Sequence, residues 1–185
     1  MSTLDDLLQG DFSGLNYEEP AEEKAKSDLN ARIFKECEQY LDTPVTSWPA
    51  ITFNWDVSKE SQCFSLDGFT PNKFLSSYPD DFLLGYVSLA EFDKHLCHYS
   101  RRDEGELWEL GSRYSLAQLI VYLSESRPIS PPLVKPVDGG EVIFQGGHHR
   151  YAIAKVTGVD KFPIHVEPCY KLEIDRRINV KWENA

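Results

Sequence analysis

Five consecutive residues, Gly146-Gly147-His148-His149-Arg150, bring together the residue types that hold a phosphate group. The first turn of a helix leaves backbone N–H groups without intrahelical partners and carries a partial positive charge. Two glycines ahead of such a turn remove the Cβ atoms that would keep an anion away from those amides. An arginine in the turn offers a planar guanidinium for bidentate contact with phosphate oxygens. His148 and His149 add donors, and an anion beside them would raise their pKa values. The bland alternative for the same five residues is a tight turn carrying an exposed basic side chain.

The surrounding pattern supplies the elements that would position these groups. Leu133 to Val137 and Glu141 to Gln145 alternate as short strands about Asp138-Gly139-Gly140, a hairpin signal. A helix is expected from about His148 to Thr157, stopped by Gly158. Phe162 to Val166 returns as a strand. Upstream, Leu116, Leu119, Ile120 and Leu123 lie at i, i+3, i+4 and i+7 on one helical face. Ser115-x-x-Gln118 has capping-box spacing at the start of that helix, and Pro128, Pro131 and Pro132 end it.

The N-terminal half is less regular. Residues 1–20 are acidic, contain Gly10, Gly14 and Pro20, and read as an arm. Ala25, Leu29, Ile33 and Cys37 recur every four residues and predict a helix over 21–41. Ile51, Phe53, Trp55 and Val57 alternate as a strand, with Cys63 to Leu66 as its expected hairpin partner. Residues 67–81 read as loop, Phe82 to Leu89 as a strand, and Ala90 to Tyr99 as a short helix. The charge-dense stretch 100–112, with Arg101, Arg102 and four acids around Trp108, reads as a solvated face; a lid or acidic metal-binding edge is the sharper alternative. Strands mixed with helices and a hairpin indicate an α+β fold. The expected organisation is an acidic arm and helix over 1–45, followed by one domain over 46–185.

Charge narrows the partners. The net charge of −11 divides into −6 over residues 1–30, −6 over 31–140 and +1 over 141–185. An acidic chain is a poor non-specific DNA clamp, because that affinity comes from neutralising phosphates with Lys and Arg. A divalent metal could still bridge acidic residues to a polyanion. The four scattered cysteines, without Cys-x-x-Cys, read as buried thiols. Asp93, His95, Cys97 and His98 have spacing that permits metal binding, but no completing ligand is identifiable. Arg176 and Arg177 read as a solvated pair. The start has acid where a signal peptide needs base, and no apolar run reaches the roughly 18–20 residues of a membrane span, so a cytoplasmic protein is expected.

Phe144-Gln145-Gly146-Gly147-His148-His149-Arg150-Tyr151 resembles the sulfiredoxin Phe-Gly-Gly-Cys-His-Arg-Tyr motif. It is also similar to the Gly-x-x-Arg box of ParB partition proteins and to the Gly-His-His-Arg of related nucleotide-dependent small-molecule kinases. The likeness to this ParB/sulfiredoxin superfamily extends over residues 112–167. It implies a compact mixed sheet with helices, holding ATP or CTP with Mg²⁺ at Gly146, Gly147, His148, His149 and Arg150. By position in the likeness, Ser115, Gln118 and Arg113 of the preceding helix would reach the terminal phosphates, although Ser115 competes with its reading as a helix cap. His148 replaces the reactive cysteine of sulfiredoxin, which excludes that chemistry. Only 18 residues follow Glu167, so the further domains of a partition protein are not expected.

In size and domain content the chain also resembles the oncogenic-suppression type of fertility inhibitor carried by conjugative plasmids. That resemblance implies an ATPase and metal-dependent DNase acting against DNA transfer, with DNA and a protein of the transfer apparatus as partners. His149, Arg150 and Glu141 are then the catalytic candidates, the base being His149 or Glu141. Two other functions fit the same motif: a nucleotide-switched protein-binding module, and a kinase of a small metabolite such as free serine.

Overall fold

The protein is described by a computed structural model covering residues 21–66, 69–109 and 111–183. The expected arm over 1–20 lies outside the described residues. Helix α1 (Ala21–Cys37) turns Ile33 and Cys37 inward and gives way to a 3₁₀ turn, Glu38–Tyr40, before Pro44. It is not separate from the domain. Ile33 and Cys37 pack on Ala117 and Val121 of helix α4 (Arg113–Ser124), and Arg32 bridges to Glu125 beyond that helix.

Strand β1 (Asn54–Trp55) is shorter than the expected 51–57 and pairs in parallel with β3 (Pro128–Ile129). The partner explains the difference: β3 begins at Pro128 and the chain meets Pro131-Pro132 directly after it, and proline cannot donate to a ladder. The alternation is nonetheless real, because Ile51, Phe53 and Trp55 pack against the cores.

Cys63 to Leu66 is not a hairpin strand; Glu60–Ser65 forms a 3₁₀ helix instead. Local polar chemistry wins here. Asp56 Oδ1 accepts from the Ser58 N–H, and Ser61 Oγ donates to the carbonyls of Asp56 and Ser58, which folds the backbone into turns. The expected loop over 67–81 contains helix α2 (Pro71–Ser77). Thr70 Oγ1 caps it by accepting from the Lys73 N–H, and Pro71 sits in the first turn, where its missing N–H costs nothing.

Strand β2 (Leu83–Ser88) runs directly into helix α3 (Leu89–Asp93). The helix stops well short of Tyr99, because Leu96 and Cys97 leave it to bridge the backbone of Val142. His95 and His98 therefore share no helical face. Asp93 is bonded to Tyr151 and Lys155, and no group of three or more His, Cys, Asp or Glu side chains could hold a metal among the described residues. The cap of α4 is Ser112, whose Oγ accepts from the Ser115 N–H at 3.1 Å; Ser115 lies inside the first turn.

Strands β4 (Leu133–Pro136) and β5 (Val142–Gly146) form the expected antiparallel hairpin about Asp138–Gly140. Helix α5 (His148–Val156), strand β6 (Lys161–Val166), helix α6 (Lys171–Asp175) and strand β7 (Lys181–Trp182) complete the chain. The larger sheet has the order β5-β4-β6-β2-β7; β4 and β6 are parallel and the other neighbours antiparallel. The fold is α+β with a mixed sheet.

The layers stack in order. Tyr151 and Ala154 of α5 pack on Val134, Phe144, Phe162 and Ile164 of the sheet. Its Ala152 and Ile153 pack on Leu116, Ile120 and Leu123 of α4, and α1 covers α4 in turn. Arg177 is not simply solvated: it donates to the carbonyls of Val137 and Glu141 and closes the hairpin end. Cys37, Cys63 and Cys97 are buried thiols, whereas Cys169 is exposed. No helix among the described residues is long and apolar enough to cross a membrane.

Because α1 joins the core through Ile33, replacing that side chain removes buried methyl groups from the α1–α4 contact. Ile33→Ala is expected to cost about 2–4 kcal/mol in urea unfolding. A loss below about 0.5 kcal/mol would show that α1 contributes no stability.

Candidate functional site

Gly147 has φ 99° and ψ 16°, a left-handed conformation open to glycine, and the helix begins at the next residue. Both glycines also serve close packing. A Cβ on Gly147 would lie 2.4 Å from Cβ of Pro132, and one on Gly146 would lie 2.3 Å from the Ser65 carbonyl oxygen. Their small size thus lets protein approach protein, a role not anticipated from the phosphate reading.

The turn opens on a cavity of about 970 Å³. Gly147, His148, His149 and Arg150 line it from α5, and Ser115 and Gln118 from α4. Gly146 stands behind them. Six of the nine residues singled out by sequence therefore meet at one place; Arg113 is not in the lining and pairs with Asp42 instead. Glu141 does not join them either: it is exposed at the opposite end of β5, roughly 15 Å away at the rise of a strand. The candidate base Glu141 is thereby withdrawn.

Arg150 departs from expectation in another way. Only 8% of its surface is exposed. Its Nη1 donates to the carbonyls of Ser130 at 2.8 Å and Pro131 at 3.3 Å, and its Nη2 to that of Phe64 at 2.7 Å. The guanidinium is thus a tie between three chain segments as well as a positive charge on the cavity wall. The Ser100 hydroxyl and His148 Nε2 lie 3.2 Å apart, and the same hydroxyl accepts from the Phe144 N–H. His148 is thereby tied to β5.

Behind Arg150 lies a buried polar chain. Ser130 Oγ and Ser65 Oγ are 2.8 Å apart, and Ser65 Oγ lies 2.8 Å from His165 Nδ1. His165 is completely buried. Burial, reinforced by the Arg150 charge, pushes its pKa down to about 4, so the imidazole is neutral in the folded protein.

Several lining groups were not foreseen. Lys26 and Asn30 come from α1, which the sequence pattern had placed outside this domain. Asp56 follows β1, and Phe64 and Tyr99 are aromatic rings, 56% and 73% exposed. Arg102, expected on a solvated face, is buried and lines the cavity. Its neighbour Arg101 pairs with Asp103, and nothing in the local sequence pattern marks Arg102 as the residue that turns inward. Among the Lys, Arg, Asp and Glu side chains of the described lining, Lys26, Arg102 and Arg150 stand against Asp56, a balance of +2 in a chain of net −11.

The chain matches no protein-family model, no curated protein and no solved structure. The likeness to the ParB/sulfiredoxin superfamily therefore rests on the motif residues and the order of elements around them.

Two outcomes follow from the buried groups. Arg150→Ala leaves three carbonyls short of a donor, so urea denaturation should show a loss of roughly 2–5 kcal/mol. A fully stable variant would remove the tie. His165 is neutral when folded, whereas an unfolded histidine takes up a proton near pH 6.5. Its contribution is complete above pH 6.5 and declines as pH falls toward about 4, by on the order of 3 kcal/mol. Stability measured against pH for wild type and His165→Gln should show that slope only in the wild type; parallel curves would refute it.

Proposed function

We propose that the chain binds a nucleoside triphosphate, ATP or CTP, in the cavity at the Gly147 turn. The observation that carries this reading is the positive lining of one nucleotide-sized cavity in a strongly acidic chain. Pockets of roughly 300–1,000 Å³ hold small ligands, so the volume accommodates a base and sugar beside the phosphates. The first turn of α5 directs its positive end at an anion, and Arg150 and Arg102 add fixed charge. The apolar wall, with Ile33, Leu119, Tyr122 and Ile129, suits the flat face of a base.

Mg²⁺ fits this donor set through few protein ligands. Mg²⁺ is commonly held by one or two carboxylates together with substrate phosphates, and Asp56 is the carboxylate of the described lining. Its Oδ1 accepts from the Ser58 N–H, which fixes the group at the wall. When bound, the metal would neutralise charge developing on the phosphoryl oxygens. His149 or Asp56 would orient a water for hydrolysis, in place of Glu141.

A second reading draws on α1. Because Lys26 and Asn30 belong to that helix, a ligand in the cavity touches an element with an otherwise exposed outer face, as a nucleotide-switched binding module would require.

Titration calorimetry with ATP, ADP, CTP and GTP, with and without Mg²⁺, tests the proposal. Saturable binding of a triphosphate at micromolar concentrations is expected, followed by phosphate release that a chelator abolishes. Binding without release selects the switched module, and release only with an added acceptor such as serine selects a kinase. Metal-dependent degradation of purified DNA, reduced in His149→Ala, would extend the hydrolase reading to a DNase. Absence of heat with every nucleotide would overturn nucleotide binding.

A further inference from the structure

Arg102 is an arginine in an unusual situation. Only 6% of its surface is exposed, yet no ion pair reaches it among the described residues. Nη1 donates to the carbonyls of Ser100 and Arg101, which satisfy hydrogen bonds but do not neutralise a charge. Nε and Nη2 have no protein partner among the described residues, and neither is sealed from solvent. Burial pushes the pKa of Arg102 down, with only partial compensation from Tyr151 and Glu106. Neither neighbouring carboxylate forms an ion pair with it among the described residues: Glu106 accepts from the Asp103 N–H, and Arg101 takes Asp103 itself. A buried cation without a counter-ion is costly, because desolvation is not repaid.

The geometry around Gly111 shows where the charge is directed. Gly111 has φ +83° and lines the cavity. The point where its Cβ would stand is 3.9 Å from Arg102 Nη2 and 3.0 Å from His149 Nε2. Arg102 and His149 thus flank one wall. That wall is set by the loop before α4, whereas Arg150 is anchored on the other side through Ser130, Pro131 and Phe64. The cavity has two cationic poles held by different parts of the chain.

We infer that Arg102 forms a second anion subsite, so that the cavity selects ligands carrying two or more linked phosphoryl groups over those carrying one. The inference rests on the proposed phosphate-binding site and specifies its ligand class. One phosphoryl group lies at the Gly147 turn; another takes the free donors of Arg102 and supplies the missing counter-charge. Glycine at position 111 keeps the space between Arg102 and His149 open, since a side chain there would press on the His149 ring. Specificity thus resides partly in a segment with no motif of its own.

The test compares ATP, AMP, inorganic tripolyphosphate and inorganic phosphate by calorimetry on wild type, Arg102→Lys and Arg102→Gln. Both variants keep a donor for the carbonyls of Ser100 and Arg101, and thermal melting checks their folding. Wild type should prefer ATP to AMP and tripolyphosphate to phosphate. Arg102→Gln should weaken ATP and tripolyphosphate on the order of 10- to 100-fold while changing AMP by less than about threefold. Arg102→Lys should fall between. Equal weakening of ATP and AMP, or none, would overturn the subsite while leaving nucleotide binding intact. Arg102-dependent binding of tripolyphosphate without any binding of ATP would instead overturn the nucleotide reading and uphold the subsite. If no anion binds the wild type, both fail.

Discussion

The arrangement of the site depends on one buried cation. Arg150 sits in the first turn of α5 and holds the carbonyls of Phe64, Ser130 and Pro131, residues far apart in sequence. Hydrogen bonds from a charged donor are stronger than neutral ones, and removing the donor strands its acceptors in a region with little water. The tie decides where the 3₁₀ turn before Leu66 ends, where the chain leaves β3, and how α5 meets both. It also places Ser65 beside Gly146, where no side chain larger than hydrogen fits. The same charge acts on His165 and helps keep it neutral, so the serine–histidine chain beneath the site is an uncharged hydrogen-bond chain rather than a second positive centre.

This dual role changes what a phosphate motif means in this chain. An arginine reserved for ligand would be expected to extend into the cavity with its donors unspent. Arg150 instead uses donors internally and contributes chiefly its charge, which remains effective across a partly desolvated space. Arg102 is the complementary case, with its charge only partly compensated and two nitrogens without a protein partner among the described residues. The residue that looks most like a ligand contact by motif is thus the more structural of the two, and the one with no motif is the more available.

The legibility of the sequence follows the range of the forces involved. The Asp138-Gly139-Gly140 hairpin, the α4 stripe and the α5 helix were readable, because each rests on local turn chemistry or a single-face periodicity. Glu60–Ser65 and Pro71–Ser77 were misread because the turns and cap there are made by serine and threonine side chains, Ser61 and Thr70, which leave no hydrophobic periodicity. Pro71 is a helix starter there, not a loop marker. β1 failed differently, since its length is limited by prolines in a partner more than 70 residues away. Glu141 was a candidate as a carboxylate that could serve as base, but a strand carries it away from the site. Lys26 and Arg102 reach the cavity only through tertiary packing, and no local pattern in either segment announces that.

The layering also gives the cavity a mechanical character. Its floor is rigid, because α5 is packed between the sheet and α4 through fully buried side chains such as Ile153 and Leu123. Its α1 wall is different. That helix is anchored through Ile33 and Cys37 near its C-terminal end, while Lys26 and Asn30 belong to turns whose side chains are otherwise exposed. Turns with few buried contacts open at lower free-energy cost than the core they rest on. A polyanion that contacts Lys26 as well as the Gly147 turn would favour the closed arrangement by its differential affinity for it. Without a ligand, Lys26 faces the other cations of the lining; with a polyphosphate between them, that repulsion becomes attraction. The ligand then completes the electrostatics of the cavity and orders the helix above it by the same contacts.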